Sequence, residues 1–164
     1  MRRIVVLLVV CLCLLTVTGC APKYTEEELI DKARSEIPIS NADTIELSMG
    51  GYSSHETNRL FWFVSGNEYQ SHTYTPIEFV EVGENQFEFV KTYKPIDRTI
   101  DISALMWKDG YSFIINNKNC HSIIITDSTG NSDSITVEEL PFVYYYQGIP
   151  SEYTFVDENG IVLN

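Results

Sequence analysis

The sequence predicts a mainly β, antiparallel fold: a β-sandwich or curled sheet with one N-terminal helix packed against it. From Thr44 onward, runs of branched and aromatic residues recur with a period near two, the spacing of a pleated strand. Between these runs lie clusters of Gly, Asn, Asp and Ser that form turns. Helical spacing of apolar residues is confined to one stretch, 25–37. Short antiparallel strands joined by tight turns bury their apolar faces by stacking in layers, which leads to the sandwich.

In chain order, Met1, Arg2 and Arg3 form a positive head, and Ile4 to Val17 is almost wholly apolar. That charge-then-apolar order is the pattern of an export signal. The apolar run is shorter than the roughly 20 residues that span a hydrocarbon core, so a permanent transmembrane helix is the weaker expectation. The run ends in Val17-Thr18-Gly19-Cys20, which resembles the lipobox of bacterial lipoprotein precursors. The resemblance covers only these first twenty residues. It implies that residues 1–19 are a signal peptide, and that Cys20 carries a diacylglycerol group and becomes the first residue of the mature chain. Each buried lipid methylene contributes about 0.8 kcal/mol, so two or three acyl chains anchor durably where one exchanges. The expected partner of Cys20 is thus a bacterial membrane, with the body held outside the cytoplasm, at the cell surface or on the periplasmic face. Residues 20–24 are then the lipidated cysteine and a short tether containing Pro22, and 25–164 a single strand-rich domain.

The helix begins at Thr25, which can cap the free amide at Glu28 while the Glu28 carboxylate reaches back to Thr25. Glu26, Glu27 and Glu28 favour the positive helix end. Leu29, Ile30, Ala33 and Ile37 fall near one stripe, and Pro38 closes the helix at about Ile37. The strands that follow are predicted at 44–49, 60–65, 69–74, 77–82, 87–93, 99–105, 111–115, 122–126, 134–138, 142–146, 153–156 and 161–163. Phe61-Trp62-Phe63-Val64 and Ile123-Ile124-Ile125 do not alternate, so both are expected as central strands covered on two faces, whereas Phe87–Phe89 and Tyr111–Ile115 alternate at least in part. Asp109-Gly110 gives the clearest tight hairpin.

Composition narrows the partners. Cleavage removes Arg2 and Arg3 and no acid, which carries the formal net charge from −12 to −14. Such a surface repels nucleic acid and anionic lipid headgroups, so the expected hold on the membrane is the lipid and not a basic patch. The chain after Cys20 is long enough for one core without metal or disulfides, and short for two domains. Cys11 and Cys13 leave with the signal and lipidation consumes the Cys20 thiol, which leaves Cys120 as an apolar filler without an intramolecular partner.

No catalytic, metal-binding or cofactor-binding pattern assembles. His55, His72 and His121 show no His-x-x-x-His or His-Glu-x-x-His spacing. Asp127 to Asp133 matches a calcium loop only loosely and is better read as a turn. A nucleophile elbow and a phosphate-cradling glycine loop are both missing from the sequence. The aromatic residues supply the remaining signal: Trp62, Tyr69, Trp107, Tyr144 and Tyr146 are the candidate binding residues, since rings with a wet polar end suit protein or glycan contact. In the run Tyr144-Tyr145-Tyr146 the first and third rings share a face. The expected function is a non-catalytic binding or accessory module for an envelope protein or glycan. The alternative is a small envelope hydrolase using clustered acids and histidines, with His55 and His72 converging on an acid.

Overall fold

The computed structural model describes residues 21–37, 46–66 and 72–163. The expected signal segment, Cys20, Pro38, Thr44 and Tyr69 lie outside these residues. Within them the chain is mainly β, with one short helix and antiparallel strand pairing throughout, and its sheets are open.

Strand β1 (Lys23–Tyr24) precedes a 3-10 turn at Glu26–Glu28 and helix α1 (Leu29–Glu36). The capping box forms as the sequence predicts: the Thr25 amide donates to Glu28 Oε2 at 2.8 Å. The first turn is tightened into the 3-10 form, because the Glu28 amide bonds the Thr25 carbonyl at 3.0 Å. The remaining strands are β2 (Leu47–His55), β3 (Asn58–Ser65), β4 (Thr73–Gly83), β5 (Gln86–Thr92), β6 (Ile96–Asp97), β7 (Ile102–Trp107), β8 (Gly110–Ile115), β9 (Ser122–Thr126), β10 (Ser132–Thr136), β11 (Phe142–Gln147) and β12 (Glu152–Val156). The strand predicted at 161–163 is reduced to one bridge, Val156 to Val162.

These strands form three sheets. Sheet A runs β1-β5-β4-β3-β2, with β6 on β4; sheet B runs β11-β8-β7; sheet C runs β10-β9-β12. Alternation of side chains stacks them in the order α1, A, B, C. Phe61 and Phe63 of β3, Ile77 and Phe79 of β4 and Phe87 of β5 face Leu29 and Ala33 of α1. The alternate residues of β3, Leu60, Trp62 and Val64, meet Trp107 and Ile114 of sheet B. On the far side of sheet B, Ile102, Phe113 and Ile115 meet Ile123 and Ile125 of β9 and Phe155 of β12. The expected sandwich thus carries a third sheet.

This layering corrects two strand expectations. Residues 61–64 are covered on both faces, as the sequence predicts. Ile124 is only half-buried between the fully buried Ile123 and nearly buried Ile125, so β9 is central in its sheet but covered on one face. The other doubly covered strand is β8, where Phe113, Ile114 and Ile115 are all fully buried. Sheet C supplies the second cover of β8, from chain that follows it.

Pro76 marks a further difference, because the segments predicted at 69–74 and 77–82 meet in one strand, β4. The Pro76 carbonyl accepts from the Tyr93 amide at 2.9 Å. In a strand a residue's nitrogen points to the same side as its carbonyl, so the missing donor falls where β4's neighbour changes from β5 to β6 and costs little pairing. Gly50 and Gly51 bring β2 against sheet B: a Cβ at Gly50 would lie 2.7 Å from Ile114 Cδ1, and Gly51 has φ +122°. Among the described residues no helix is long and apolar enough to cross a membrane.

Candidate functional site

The structure separates the candidate aromatic residues into two groups. Trp62 and Trp107 are 0 % and 1 % exposed, because β3 and β7 both turn these side chains into the A–B interface. They are core residues and cannot meet a ligand at the surface. Trp62 Nε1 donates to Ser112 Oγ at 2.7 Å, and Ser112 Oγ in turn lies 2.7 Å from Ser53 Oγ, which makes a buried polar clasp between sheets A and B. Tyr69 lies outside the described residues.

Tyr144 and Tyr146 share the face of β11 that looks toward sheet C, and both stay half-buried. Tyr145 takes the opposite face, as alternation requires. Phe142 and Tyr144 are parallel within 5°, with centroids 6.4 Å apart. Tyr146 is paired with Tyr111, whose ring lies 5.8 Å from that of Tyr153. Tyr153, 37 % exposed, also packs edge-on to Phe113 at 5.1 Å. Phe142, Tyr144, Tyr146 and Tyr111 thus gather on the side of sheet B that faces sheet C, with Tyr153 of β12 packed against Tyr111. The Tyr144 hydroxyl is pushed up from its ordinary pKa by burial and by the Asp133 and Tyr146 charges, so it stays a neutral donor.

A polar network lies at the turn of the β7–β8 hairpin. The turn is Lys108-Asp109, one residue earlier than predicted, with Trp107 paired to Gly110. Lys108 adopts φ +53° and sends Nζ to Glu78 Oε1 at 2.6 Å. Glu78 is 2 % exposed on β4, and its second oxygen accepts from the Tyr93 hydroxyl at 2.9 Å. Lys91 Nζ stands 4.0 Å away. Burial alone would raise the Glu78 carboxyl, but hydrogen bonds from Lys108 and Tyr93 outweigh it and hold the group below the ordinary range.

Asp109, next along the turn, holds His55. Its Oδ1 lies 3.0 Å from His55 Nε2 and accepts from the Tyr145 hydroxyl at 2.7 Å, while Oδ2 accepts from Gln147 Nε2 at 3.1 Å. The Tyr145 and Gln147 hydrogen bonds hold the Asp109 carboxyl below its ordinary pKa. His55 sits edge-on to both Trp107 and Tyr145. Its Nδ1 is buried and finds no partner among the described residues.

His72 lies elsewhere. His55 pairs with Asn58 at one end of β3, whereas His72 precedes Thr73, the partner of Ser65 at the other end. At about 3.3 Å per residue the two histidines are separated by the length of β3, roughly 20 Å. They do not converge, and each has its own aspartate. Asp101 Oδ1 is 2.9 Å from His72 Nδ1 and accepts from the Tyr74 hydroxyl at 2.9 Å. Asp101 is held at φ +51°, and its carbonyl accepts from the Asn116 amide at 2.8 Å. Burial, then the Asp101 hydrogen bond, pushes the Tyr74 hydroxyl well above its ordinary pKa. His72 and Asn116 help line a cavity of about 480 Å³ together with Glu46, Leu47 and Val64.

The other sequence candidates have local partners. Cys120 is 7 % exposed, and burial raises its thiol pKa, whereas His121 beside it is exposed. Asp127 spends Oδ1 on the amides of Thr129 and Asn131, at 2.8 and 3.0 Å, and closes its own turn. Asp157 does the same with Asn159 and Ile161. Among the described residues no group of three or more His, Cys, Asp or Glu side chains is placed to hold a metal ion.

Sequence reasoning did not single out Glu78, Asp101 or Lys108, and read Asp109 only as a turn residue. The available signal was Glu78 itself, an acid in the apolar run Ile77-Glu78-Phe79-Val80. A carboxylate buried in such a run needs a cation, which here comes from a distant hairpin. Comparison with protein-family models, curated proteins and solved structures finds no match to this chain.

Proposed function

We propose that the chain is an extracytoplasmic lipoprotein, anchored through lipid on Cys20, whose body is a non-catalytic binding or accessory module for a protein or glycan of the cell envelope. The observation that carries the binding half is the aromatic row between sheets B and C: Tyr111, Tyr144 and Tyr146 of sheet B and Tyr153 of sheet C are partly exposed, and Tyr111, Tyr144 and Tyr153 each pack against a neighbouring ring. Rigid tyrosines lose little conformational entropy on contact and offer both an apolar face and a hydroxyl. The anchoring half is supported by the basic head, the apolar run and Val17-Thr18-Gly19-Cys20.

The test is co-sedimentation of the mature domain with washed envelopes of its native host, before and after protease treatment. Wild-type protein is expected to sediment, and a Tyr146→Ala, Tyr153→Ala variant to lose at least about tenfold in affinity, equivalent to 1.4 kcal/mol. Protease treatment separates a protein partner from a glycan. No sedimentation, or equal retention of the variant, contradicts the proposal.

One observation favours the hydrolytic alternative: His72, oriented by Asp101, borders a cavity. In that case Asp101→Asn would abolish turnover of an envelope substrate while leaving the fold intact. Activity unchanged by Asp101→Asn would remove it.

A further inference from the structure

Sheet B ends on one side at β7, and that edge is open. The Asn116 amide donates to the Asp101 carbonyl at 2.8 Å, which sets the phase of the β7–β8 ladder. Residues 101, 103, 105 and 107 exchange hydrogen bonds with β8, so the N–H and C=O groups of Ile102, Ala104 and Met106 point away from it. Among the described residues no strand pairs with them there.

The other long edges are closed or guarded against strand pairing. β5 carries β1 at Phe87 and Glu88, then a bulge and Lys91. β2 bulges between Met49 and Gly51 and lies against Val143 of β11. Asp133 of β10 shares with Ile135 the face toward sheet B, an inward charge. On β12 the Leu163 amide takes the Phe155 carbonyl at 2.9 Å. By contrast β7, Ile102-Ser103-Ala104-Leu105-Met106-Trp107, has no charge, proline or bulge, and Met106 is 61 % exposed.

The surroundings of this edge define its occupant. Sheet A continues past β4, as β5 and β6, where sheet B stops. Lys108 reaches Glu78 of β4, and Tyr93 and Ile96 beyond it join the cluster around Trp107. Sheet A therefore overhangs β7 and leaves a slot for a single strand. A second copy paired through β7 would bring its own sheet A into the same place. On the sheet C side, Ile100, Ile102, Ala104, Tyr153 and Phe155 wall a cleft of about 180 Å³, which Arg98 also borders. Arg98 is exposed and forms no ion pair among the described residues, since Asp97 bonds Thr73 and Asp101 is shared by His72 and Tyr74.

A strand added to a sheet edge gains affinity from main-chain hydrogen bonds and specificity from pockets for alternate side chains. We propose that β7 takes one extended segment of a partner protein as the fourth strand of sheet B, with a side chain of that segment in the cleft and a carboxylate on Arg98. This rests on the binding reading above and narrows its partner to a polypeptide.

The test uses full-length protein recovered from its native host in detergent micelles, with a phage-displayed library of random dodecapeptides as the probe. In the free protein the amides of Ile102, Ala104 and Met106 are expected to exchange hydrogen far faster than those of Ser103 and Leu105. Selected peptides are expected to carry an acidic residue and to protect those three amides. N-methylation of alternate peptide residues should cost at least about tenfold in affinity in one phase, where the peptide N–H groups face β7, and little in the other. Met106→Lys, and Ala104→Pro, which removes only an outward N–H, should each weaken binding by a similar factor. A library that yields no peptide protecting these amides, or binders that tolerate both phases of N-methylation, overturns the proposal, and neither readout requires a protein variant to fold. Sedimentation with envelopes is read separately. Wild type retained on envelopes with no strand-adding peptide sinks the β7 site alone, whereas strand addition without sedimentation sinks the envelope partner alone.

Discussion

Replacing Ser112 by alanine removes one oxygen and breaks the polar clasp between sheets A and B. Ser112 Oγ accepts from Trp62 Nε1 and shares a hydrogen bond with Ser53 Oγ, both at 2.7 Å. All three residues are buried, with Ser112 and Trp62 at 0 % exposure and Ser53 at 2 %. The variant therefore leaves an indole N–H and a hydroxyl in the core without their partner. Each such orphaned group costs about 1–3 kcal/mol, so the expected loss is about 2–6 kcal/mol. Against a typical domain stability of 5–15 kcal/mol this is a large fraction. At about 2–4 °C per kcal/mol for a domain of this size, Tm should fall by about 4–24 °C. Urea unfolding followed by tryptophan fluorescence is a suitable assay, because Trp62 and Trp107 both lie in this interface. Ser53→Ala should cost less, about 1 kcal/mol, since Ser112 still satisfies the indole, and the double variant should be less destabilised than the sum. A Ser112→Ala midpoint within about 0.5 kcal/mol of wild type would refute the role assigned to the clasp.

Other perturbations test the remaining parts. Lys108→Met removes the nearest cation from buried Glu78 and should destabilise by about 1.5–3 kcal/mol, measured by the same unfolding curve. Because the folded Glu78 pKa lies below its unfolded value, its contribution is present above the unfolded pKa and is lost as pH falls through the folded one; Glu78→Gln should flatten that acid limb of a stability–pH profile. Gly110→Ala places a Cβ 2.2 Å from the Tyr146 carbonyl oxygen, against backbone that cannot yield cheaply, and should cost upwards of about 3 kcal/mol by thermal melting. The Cys120 thiol, buried and raised in pKa, should react with an alkylating reagent far more slowly in native protein than in urea, as read by mass.

The parts of the fold legible in the sequence are those set by neighbouring residues. Thr25 and Glu28 form their capping box, and most strands fall within a few residues of their predicted bounds because the period-two pattern is local. What the sequence hid depends on which layer covers which face. Phe113-Ile114-Ile115 reads as partly alternating until sheet C, from later in the chain, covers its second side. Segments 69–74 and 77–82 read as two strands until β5 and β6 are seen to divide the edge of one strand, β4, at Pro76. Trp62 and Trp107 looked available for binding for the same reason: ring chemistry is visible in sequence, burial between sheets is not. Tyr144 and Tyr146 share a face because residues two apart on a strand always do. The pairs His55–Asp109, His72–Asp101 and Glu78–Lys108 join residues far apart in the chain, and no local spacing foretells them.

The proposed anchoring and the envelope partner both depend on what becomes of position 20. The decisive measurement is intact-mass and peptide spectrometry of protein extracted from the membranes of its native host. The expected result is a chain that starts at Cys20 with a diacylglycerol thioether on its sulfur. A chain beginning at Met1, or a free thiol at position 20, would contradict the account.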